Sequence, residues 1–405
     1  MNTYMQKKML NIILLVTLTI SIGQIQLVQA QEEKPYIILI SGDGFRYDYA
    51  EKYQAKNLLR LSSDGVKAKL MIPSYPTVTH PNHYAMVTGL YPGHSGIIGN
   101  NFYDPKSKRK YNKNEKNWYQ QETIFETADK QGLNTANLNW VNGKIATADL
   151  KHVYQFEKKK DISTEEKIAA ITGWLKMPEE KRPHLIALYF NNTDHAGHEF
   201  GPDSKETNQA VQEIDEAIGQ ISTAVKATKL PVNFIFVSDH GMIGIKEKDR
   251  LLIPAAIDTA KFVINNQNAM VNLYAKAPST VQDIYSQLKA KPQTDYRIYL
   301  NNDLPAELHL GGQDDRYQRA GDIILIPNWP KTFNPKAAGG VHGFAPGLQK
   351  EMGATFIAWG PAFKKGLVID PFENVEIYDL MTSMLGLKPA SNDGKGVLAK
   401  QILNK

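Results

Sequence analysis

Tyr36-Ile37-Ile38-Leu39-Ile40-Ser41-Gly42-Asp43-Gly44 joins a short apolar, β-branched run to a glycine-rich turn that carries one carboxylate. Such a run, too short for a helix and bounded by turn residues, reads as a buried strand. The same grammar recurs. Leu185 to Phe190 runs into Asn191-Asn192-Thr193-Asp194, and Val232 to Val237 runs into Ser238-Asp239-His240-Gly241. A fourth run, Thr355 to Trp359, ends at Gly360-Pro361.

Between these strands, residues 51–63, 121–131, 164–176 and 205–228 carry apolar residues at three- and four-residue spacing, which predicts helices. Strands alternating with helices indicate an α/β domain with a largely parallel central sheet flanked by helices. In such sheets ligands bind beyond the carboxyl ends of the strands. All three Asp-bearing turns are expected there. Residues of about 245–337 differ, with strand-like pieces at Ala269 to Tyr274, Tyr296 to Leu300 and Asp322 to Ile326 and a helix near 278–290. They read as a smaller inserted α+β cap, after which the chain rejoins the core sheet. Residues 100–120, rich in Asn, Lys and Tyr, read as a long surface loop near the site mouth.

Residues 1–30 read as a signal peptide preceding a domain of residues 31–405. Lys7 and Lys8 start it, Met9 to Ile20 form its apolar run, and Val28-Gln29-Ala30 supplies a small-residue cleavage site. An uncleaved anchor is the alternative, but the run is shorter than the roughly 20 residues of a spanning helix. The expectation is an exported protein, periplasmic or secreted, with no membrane span after cleavage. Cleavage would remove two lysines and no acid from a chain of net charge +5. That balance does not by itself argue for or against nucleic acid. The chain has no cysteine, so a bound metal must be held by His, Asp or Glu.

Asp43 follows the first strand. Asp194 follows another, with His198 four residues on, and Asp239 and His240 follow a third. His342 sits where the insertion returns to the core. Each alone has a bland reading, as turn former, helix cap or buried histidine. Together, three carboxylates at equivalent sheet positions, two of them closely followed by His, point to a metal site. Two sets of three such ligands suit zinc or another divalent metal, and a metal pair can clamp the attacking and leaving oxygens of a displacement at phosphorus. His195 is expected to point away from the side that His198 faces. His83, His94, His152, His184 and His309 read as structural or surface residues.

Pro76-Thr77-Val78-Thr79-His80-Pro81-Asn82-His83-Tyr84 offers a nucleophile. A helix starting at Pro81 would place Thr79 just before a helix amino terminus, where N–H groups favour anions. Thr77 competes for the role, and either threonine could serve as a helix cap.

Ser-Gly-Asp43-Gly, the Thr79 segment, Val-Thr-Gly-Leu-Tyr-Pro-Gly-His-Ser-Gly-Ile-Ile-Gly-Asn100, Asp194-His-Ala-Gly-His198, Ser-Asp239-His240-Gly-Met and His342-Gly occur in that order. Together they resemble the nucleotide pyrophosphatase/phosphodiesterases of the alkaline phosphatase superfamily, over about residues 36–390. The resemblance implies an alkaline-phosphatase-like fold and selects Thr79 as nucleophile. It implies one Zn2+ on Asp194, His198 and His342, and a second on Asp43, Asp239 and His240 that also contacts Thr79. It implies that Asn100 holds a non-bridging phosphate oxygen and that a phospho-threonine intermediate forms. Tyr189 aligns with an aromatic that stacks on the nucleotide base. Trp140, and Tyr154 or Phe156, are further candidates for that pocket, with an ordinary core aromatic as the alternative reading of each of them and of Tyr189. His80 departs from the family's usual Phe after the nucleophile, which weakens base stacking and leaves a polar or cationic contact as its alternative role.

The expected partner is a small-molecule phosphodiester or nucleotide, without a stable nucleic-acid partner. A phosphomonoesterase would need extra cationic donors, for which only Lys144 or Lys151 offer themselves near the matched motifs. A phosphonate hydrolase shares the threonine pattern. A non-catalytic binding protein on the same fold is the alternative from another class.

Overall fold

Alternation along β1 (Tyr36–Gly42) sends Ile37 and Leu39 into one core layer and Tyr36, Ile38 and Ile40 into the other. Each of these side chains is at most 1% exposed. A strand covered on both faces reads as a continuous apolar run, and truncating one such isoleucine to alanine costs about 2–5 kcal/mol. The computed structural model describes residues 34–156, 162–290, 294–347 and 349–404. The leader expected at 1–30 lies outside them.

The other strands are β2 (Val66–Ala68), β3 (Thr135–Leu138), β4 (Val153–Gln155), β5 (Leu185–Phe190), β6 (Val232–Val237), β7 (Phe262–Asn266), β8 (Val271–Ala275), β9 (Tyr296–Leu300), β10 (Ile323–Pro327), β11 (Phe356–Trp359) and β12 (Leu367–Ile369). The 8-stranded central sheet has the order β12-β2-β11-β6-β1-β5-β3-β4. Strands β6, β1, β5, β3 and β4 run parallel, and β11 is antiparallel to both of its neighbours. The fold is α/β, a mostly parallel sheet flanked by helices.

The helices that matter to the site are α1 (Lys56–Ser63), α2 (Thr79–Thr88), α3 (Ile124–Lys130), α4 (Thr164–Leu175), α5 (Asn192–Phe200), α6 (Lys205–Lys226), α7 (Val281–Lys289) and α8 (Glu376–Leu385). The helix expected over 51–63 is interrupted. Gln54 takes φ of 53°, and α1 restarts behind Ala55, which has no side chain to cap it. Buried Asp215 of α6 does so instead, accepting from the N–H groups of Asn57 and Leu58.

Strands β7, β8, β10 and β9 form a separate antiparallel sheet in that order. Its own core includes Phe262, Leu273, Ile298 and Leu325, with Ile284 and Leu288 of α7 packed on it. The ribbon Ile243–Gly244 with Gly340–Val341 ties the two ends of this insertion together beside α5. The segment 100–120 is more ordered than a surface loop. It holds a hairpin, Tyr103–Asp104 with Arg109–Lys110, and buries Phe102, Trp118 and Tyr119. Phe102 stacks on Tyr111 at 4.6 Å, so aromatic burial organises a stretch whose composition looked polar.

Candidate metal centre and nucleophile

The parallel strands β1, β5 and β6 end side by side, and their carboxyl ends deliver the three aspartates. Asp43 directly follows β1, Asp239 lies two residues beyond β6, and Asp194 lies in the first turn of α5. In α5, Asp194 and His198 are four residues apart and share one helix face. His342 arrives from the ribbon that closes the insertion.

Two triangles of ligand atoms result, Asp194–His198–His342 and Asp43–Asp239–His240. In the first, Nε2 of His198 lies 3.4 Å from Asp194 Oδ1 and 3.0 Å from Nε2 of His342, which is 3.6 Å from the same carboxylate oxygen. In the second, Nε2 of His240 lies 3.4 Å from Asp43 Oδ1 and 3.2 Å from Asp239 Oδ2. A tetrahedral ion with ligands at 2.0–2.1 Å has ligand–ligand edges of about 3.3 Å, so both triangles have the size of a coordination face.

Satisfaction of the polar atoms agrees. Asp43 Oδ1, Asp194 Oδ1 and Asp239 Oδ2 are buried without any hydrogen-bond partner, and each belongs to a triangle. Their sister atoms are engaged where the structure requires it. Asp43 Oδ2 accepts from the Tyr189 hydroxyl, and Asp239 Oδ1 accepts from the N–H groups of Gly44 and His240. Gly44 has φ of +63°, and a Cβ there would lie 3.0 Å from the Asp194 Cα, so this approach of the β1 turn to α5 favours glycine. All three imidazoles use Nδ1 on a backbone carbonyl: His198 on Gly340, His240 on Gly241 and His342 on Thr77, each at 2.9 Å. That fixes the tautomer with Nδ1–H outward and the Nε2 lone pair facing the triangle.

The electrostatics point the same way. Burial, followed by the carboxylates of Asp239 and Asp194, drives the Asp43 carboxyl well above its usual range. Burial raises Asp194 too, against the pull of His198 and His240. For Asp239 burial acts upward, but His240, His83 and the Gly44 N–H outweigh it and hold it low. Burial, then His240 and His198, pushes His342 well below the usual histidine range. Buried carboxylates opposed mainly by each other and by histidines make a centre that a divalent cation relieves.

Helix α2 begins at Thr79, two residues earlier than expected, with extended Val78 before it. Thr79 Oγ1 lies 3.5 Å from His240 Nε2, at the second triangle. Thr77, by contrast, is fully buried, donates to the Phe344 carbonyl and accepts from the Gly343 N–H, so its hydroxyl is committed to the cap-return segment. Asn100 Oδ1 accepts from the His80 N–H at 2.8 Å, which turns its NH2 group away from that contact as a free donor. Gly99 makes this possible, since a Cβ there would come within 1.7 Å of Gln267 Oε1.

The type I phosphodiesterase / nucleotide pyrophosphatase family matches residues 37–345. The chain belongs to this family. Phosphodiesterase/pyrophosphatase relatives include mouse ectonucleotide pyrophosphatase/phosphodiesterase family member 1, 33% identical over 93% of this chain and 43% of its own length. An uncharacterised pyrophosphatase/phosphodiesterase of Schizosaccharomyces pombe is 31% identical over 88% of this chain and 78% of its own. The chain thus spans less than half the length of the mouse relative. The solved structure of murine ectonucleotide pyrophosphatase/phosphodiesterase 5 superposes with a TM-score of 0.82 at 23% identity, covering 91% of this chain and 100% of that one. A related murine structure, of an inactive variant, is a complex with AMP at 24% identity.

The residues expected at the substrate pocket are placed as follows. The Tyr189 hydroxyl donates to Asp43 and its ring meets His83 edge-on at 5.3 Å. Burial and Asp43 push its ionisation up, keeping it a donor. Trp140 is 3% exposed and packs edge-on against His83 at 5.0 Å, a core position. Tyr154 and Phe156 pack on the core layer under α4 and α6, with β4 at the sheet edge. His80 touches Tyr111 edge-on at 5.9 Å, and burial first, then Lys113 and His83, lowers its pKa to about 4. That disfavours the charged imidazole at this position. Lys144 and Lys151 are exposed and do not line the cavity beside the ligand triangles. His195 faces solvent beside Glu199.

Two residues support the nucleophile, His83, expected from the sequence to be structural or surface, and Asn82, to which it assigns no role. His83, fully buried, bridges the Thr79 carbonyl and the Ser41 hydroxyl. Asn82 binds the Ser74, Pro76 and Val78 carbonyls and, with Asn374, fixes the loop leading to Thr79. Their polar character on the inner face of α2 was the available signal.

Replacing Tyr189 by Phe is expected to weaken divalent-cation binding about 10–100-fold while leaving the preference among diester substrates unchanged. Competition against a chelating indicator measures the first. A shifted preference with unaltered cation affinity would return Tyr189 to the substrate pocket.

Proposed function

We propose that the chain is an exported two-zinc hydrolase of phosphodiester or pyrophosphate bonds that works through a phospho-threonine at Thr79. The observation that carries this reading is the Thr79 hydroxyl beside one of two adjoining ligand triangles, at the amino end of a helix. Bound divalent cations would supply Lewis acidity, easing ionisation of the Thr79 hydroxyl and offsetting charge on the oxygens at either side of phosphorus.

The chain's own residues do the rest. His83 and Asn82 hold the first turn of α2, so the hydroxyl starts in place. Thr79 Oγ attacks phosphorus, and the P–O bond to the leaving oxygen breaks on the side of Asp194, His198 and His342. The Asn100 NH2 donates to a non-bridging oxygen as its charge grows. Water then attacks phosphorus from the vacated side and releases Thr79. The AMP complex of the murine relative and the phosphodiesterase names of other relatives support a small nucleotide or diester substrate.

Export rests on the residue pattern of 1–30; among the described residues no helix is long and apolar enough to cross a membrane. Parallel assays on a bis-aryl phosphodiester, an aryl phosphomonoester and an aryl phosphonate test the reaction class. Diester turnover should lead. Dominant monoester or phosphonate turnover would move the chain to those chemistries, and a metal-loaded protein inert to all three would be a binding protein.

His80→Phe should raise turnover of aryl nucleotide diesters relative to small aryl diesters, because a ring at the pocket edge adds stacking worth about 0.5–1.5 kcal/mol. An unchanged ratio would remove position 80 from specificity.

A further inference from the structure

Asn100 is exposed and stands in a stretch, residues 96–102, that is neither helix nor strand. The hydrogen bond from the His80 N–H sets the rotation of its amide, but the place of its backbone has to be fixed from elsewhere. Side chains of the insertion take carbonyls on both sides of it. Arg319 Nη1 donates to the Gly96 carbonyl at 2.7 Å, and Asn265 Nδ2 donates to the Asn101 carbonyl at 3.1 Å. Arg319 Nη2 also lies 3.6 Å from Asp104 Oδ2, so one guanidinium grips the stretch before and after Asn100.

Arg319 is itself held rigidly. It is 4% exposed, and its guanidinium lies over the rings of Tyr317, Trp118 and Phe102 at 4.7, 4.9 and 5.3 Å. Its N–H donates to Asp315, and its carbonyl accepts from the Tyr274 hydroxyl. Gly96 has φ of +79°, and a Cβ there would come within 2.7 Å of Arg319 Nη1, so the close approach favours glycine. Arg319 Nε is buried with no acceptor among the described residues. A buried cation with an idle donor costs stability that an apolar side chain of like volume would not, which points to a role in geometry.

We propose that Arg319 and Asn265 are positioning residues, through which the insertion holds the Asn100 amide against the reacting phosphate. The inference rests on the phosphodiesterase reading, in which that amide meets charge growing on a non-bridging oxygen. A donor aimed at growing charge contributes to kcat, and a displacement of about 1 Å forfeits most of its effect.

The test is a double-mutant cycle on the full chain loaded with zinc, reading kcat and KM on a bis-aryl phosphodiester. Its members are wild type, Arg319→Met, Asn100→Ala and the pair together. Arg319→Met should lower kcat about 100-fold with KM nearly unchanged. In the Asn100→Ala background the same substitution should lower kcat by less than about threefold. Loss of folded or metal-loaded protein would scale both backgrounds by one factor, so equal losses in the two overturn the proposal, as does a wild-type kcat in Arg319→Met. If Arg319→Met does not fold, Asn265→Ala carries the same cycle, with a several-fold loss that disappears in Asn100→Ala; a loss that persists there overturns the proposal. Wild-type protein inert on the diester would sink the phosphodiesterase reading and this inference with it, whereas an active wild type with equal losses sinks the inference alone.

Discussion

Thr79→Ala is expected to lower diester turnover by about three to five orders of magnitude, with metal content and thermal stability close to wild type. The size follows from the absence of a substitute. Thr77, the nearest sequence competitor, has its hydroxyl tied to the Phe344 carbonyl and the Gly343 N–H. The stability expectation follows from what the Thr79 side chain leaves to others. The backbone carbonyl of Thr79, not its hydroxyl, meets His83, and Asn82 rather than Thr79 bonds the Val78 carbonyl. Steady-state kinetics on a bis-aryl diester and a thermal melt check both halves. Turnover within tenfold of wild type would remove Thr79 from the nucleophile's role.

His342→Ala should reduce bound metal from two equivalents to one and abolish most turnover. The variant leaves Asp194 and His198 alone at their triangle, while Asp43, Asp239 and His240 keep theirs. His342 also stacks on His240 at 3.7 Å, so some loosening of the second set is expected without its loss. Removing a buried neutral imidazole takes away no charge that others depend on. The remaining cation should therefore still raise the melting temperature by linkage. Elemental analysis after exhaustive dialysis gives the count. A full complement of two would contradict the assignment of His342.

The parts of the fold that were legible are those whose physics is local. Strands β1, β5, β6 and β11 announce themselves by apolar runs, that of β6 broken only by Asn233, and α4 and α6 by their spacing. Strand β3 did not, because buried Thr135 and Asn137 interrupt its pattern; the Asn137 side chain instead bonds Gln155 on β4 and the Trp140 N–H. Helix α5 hid inside what looked like a turn, although it is the element that puts Asp194 and His198 on one face. Helix α1 needs Asp215 from more than a hundred residues away, a relation no local window contains.

At the site, the carboxylates could be read because each follows a strand whose end is fixed by the sheet. The substrate side could not. Whether Tyr189 presents its face or its hydroxyl depends on Asp43, and whether Trp140 is wall or core depends on His83, both decided by tertiary packing.

Crystals grown with zinc and measured at its absorption edge test the convergence of the two triangles and Thr79 most directly. Two anomalous peaks are expected, one about 2.0–2.2 Å from Asp43, Asp239 and His240 and adjacent to the Thr79 hydroxyl, the other at the same range from Asp194, His198 and His342. One peak alone, or peaks away from these side chains, would contradict the account.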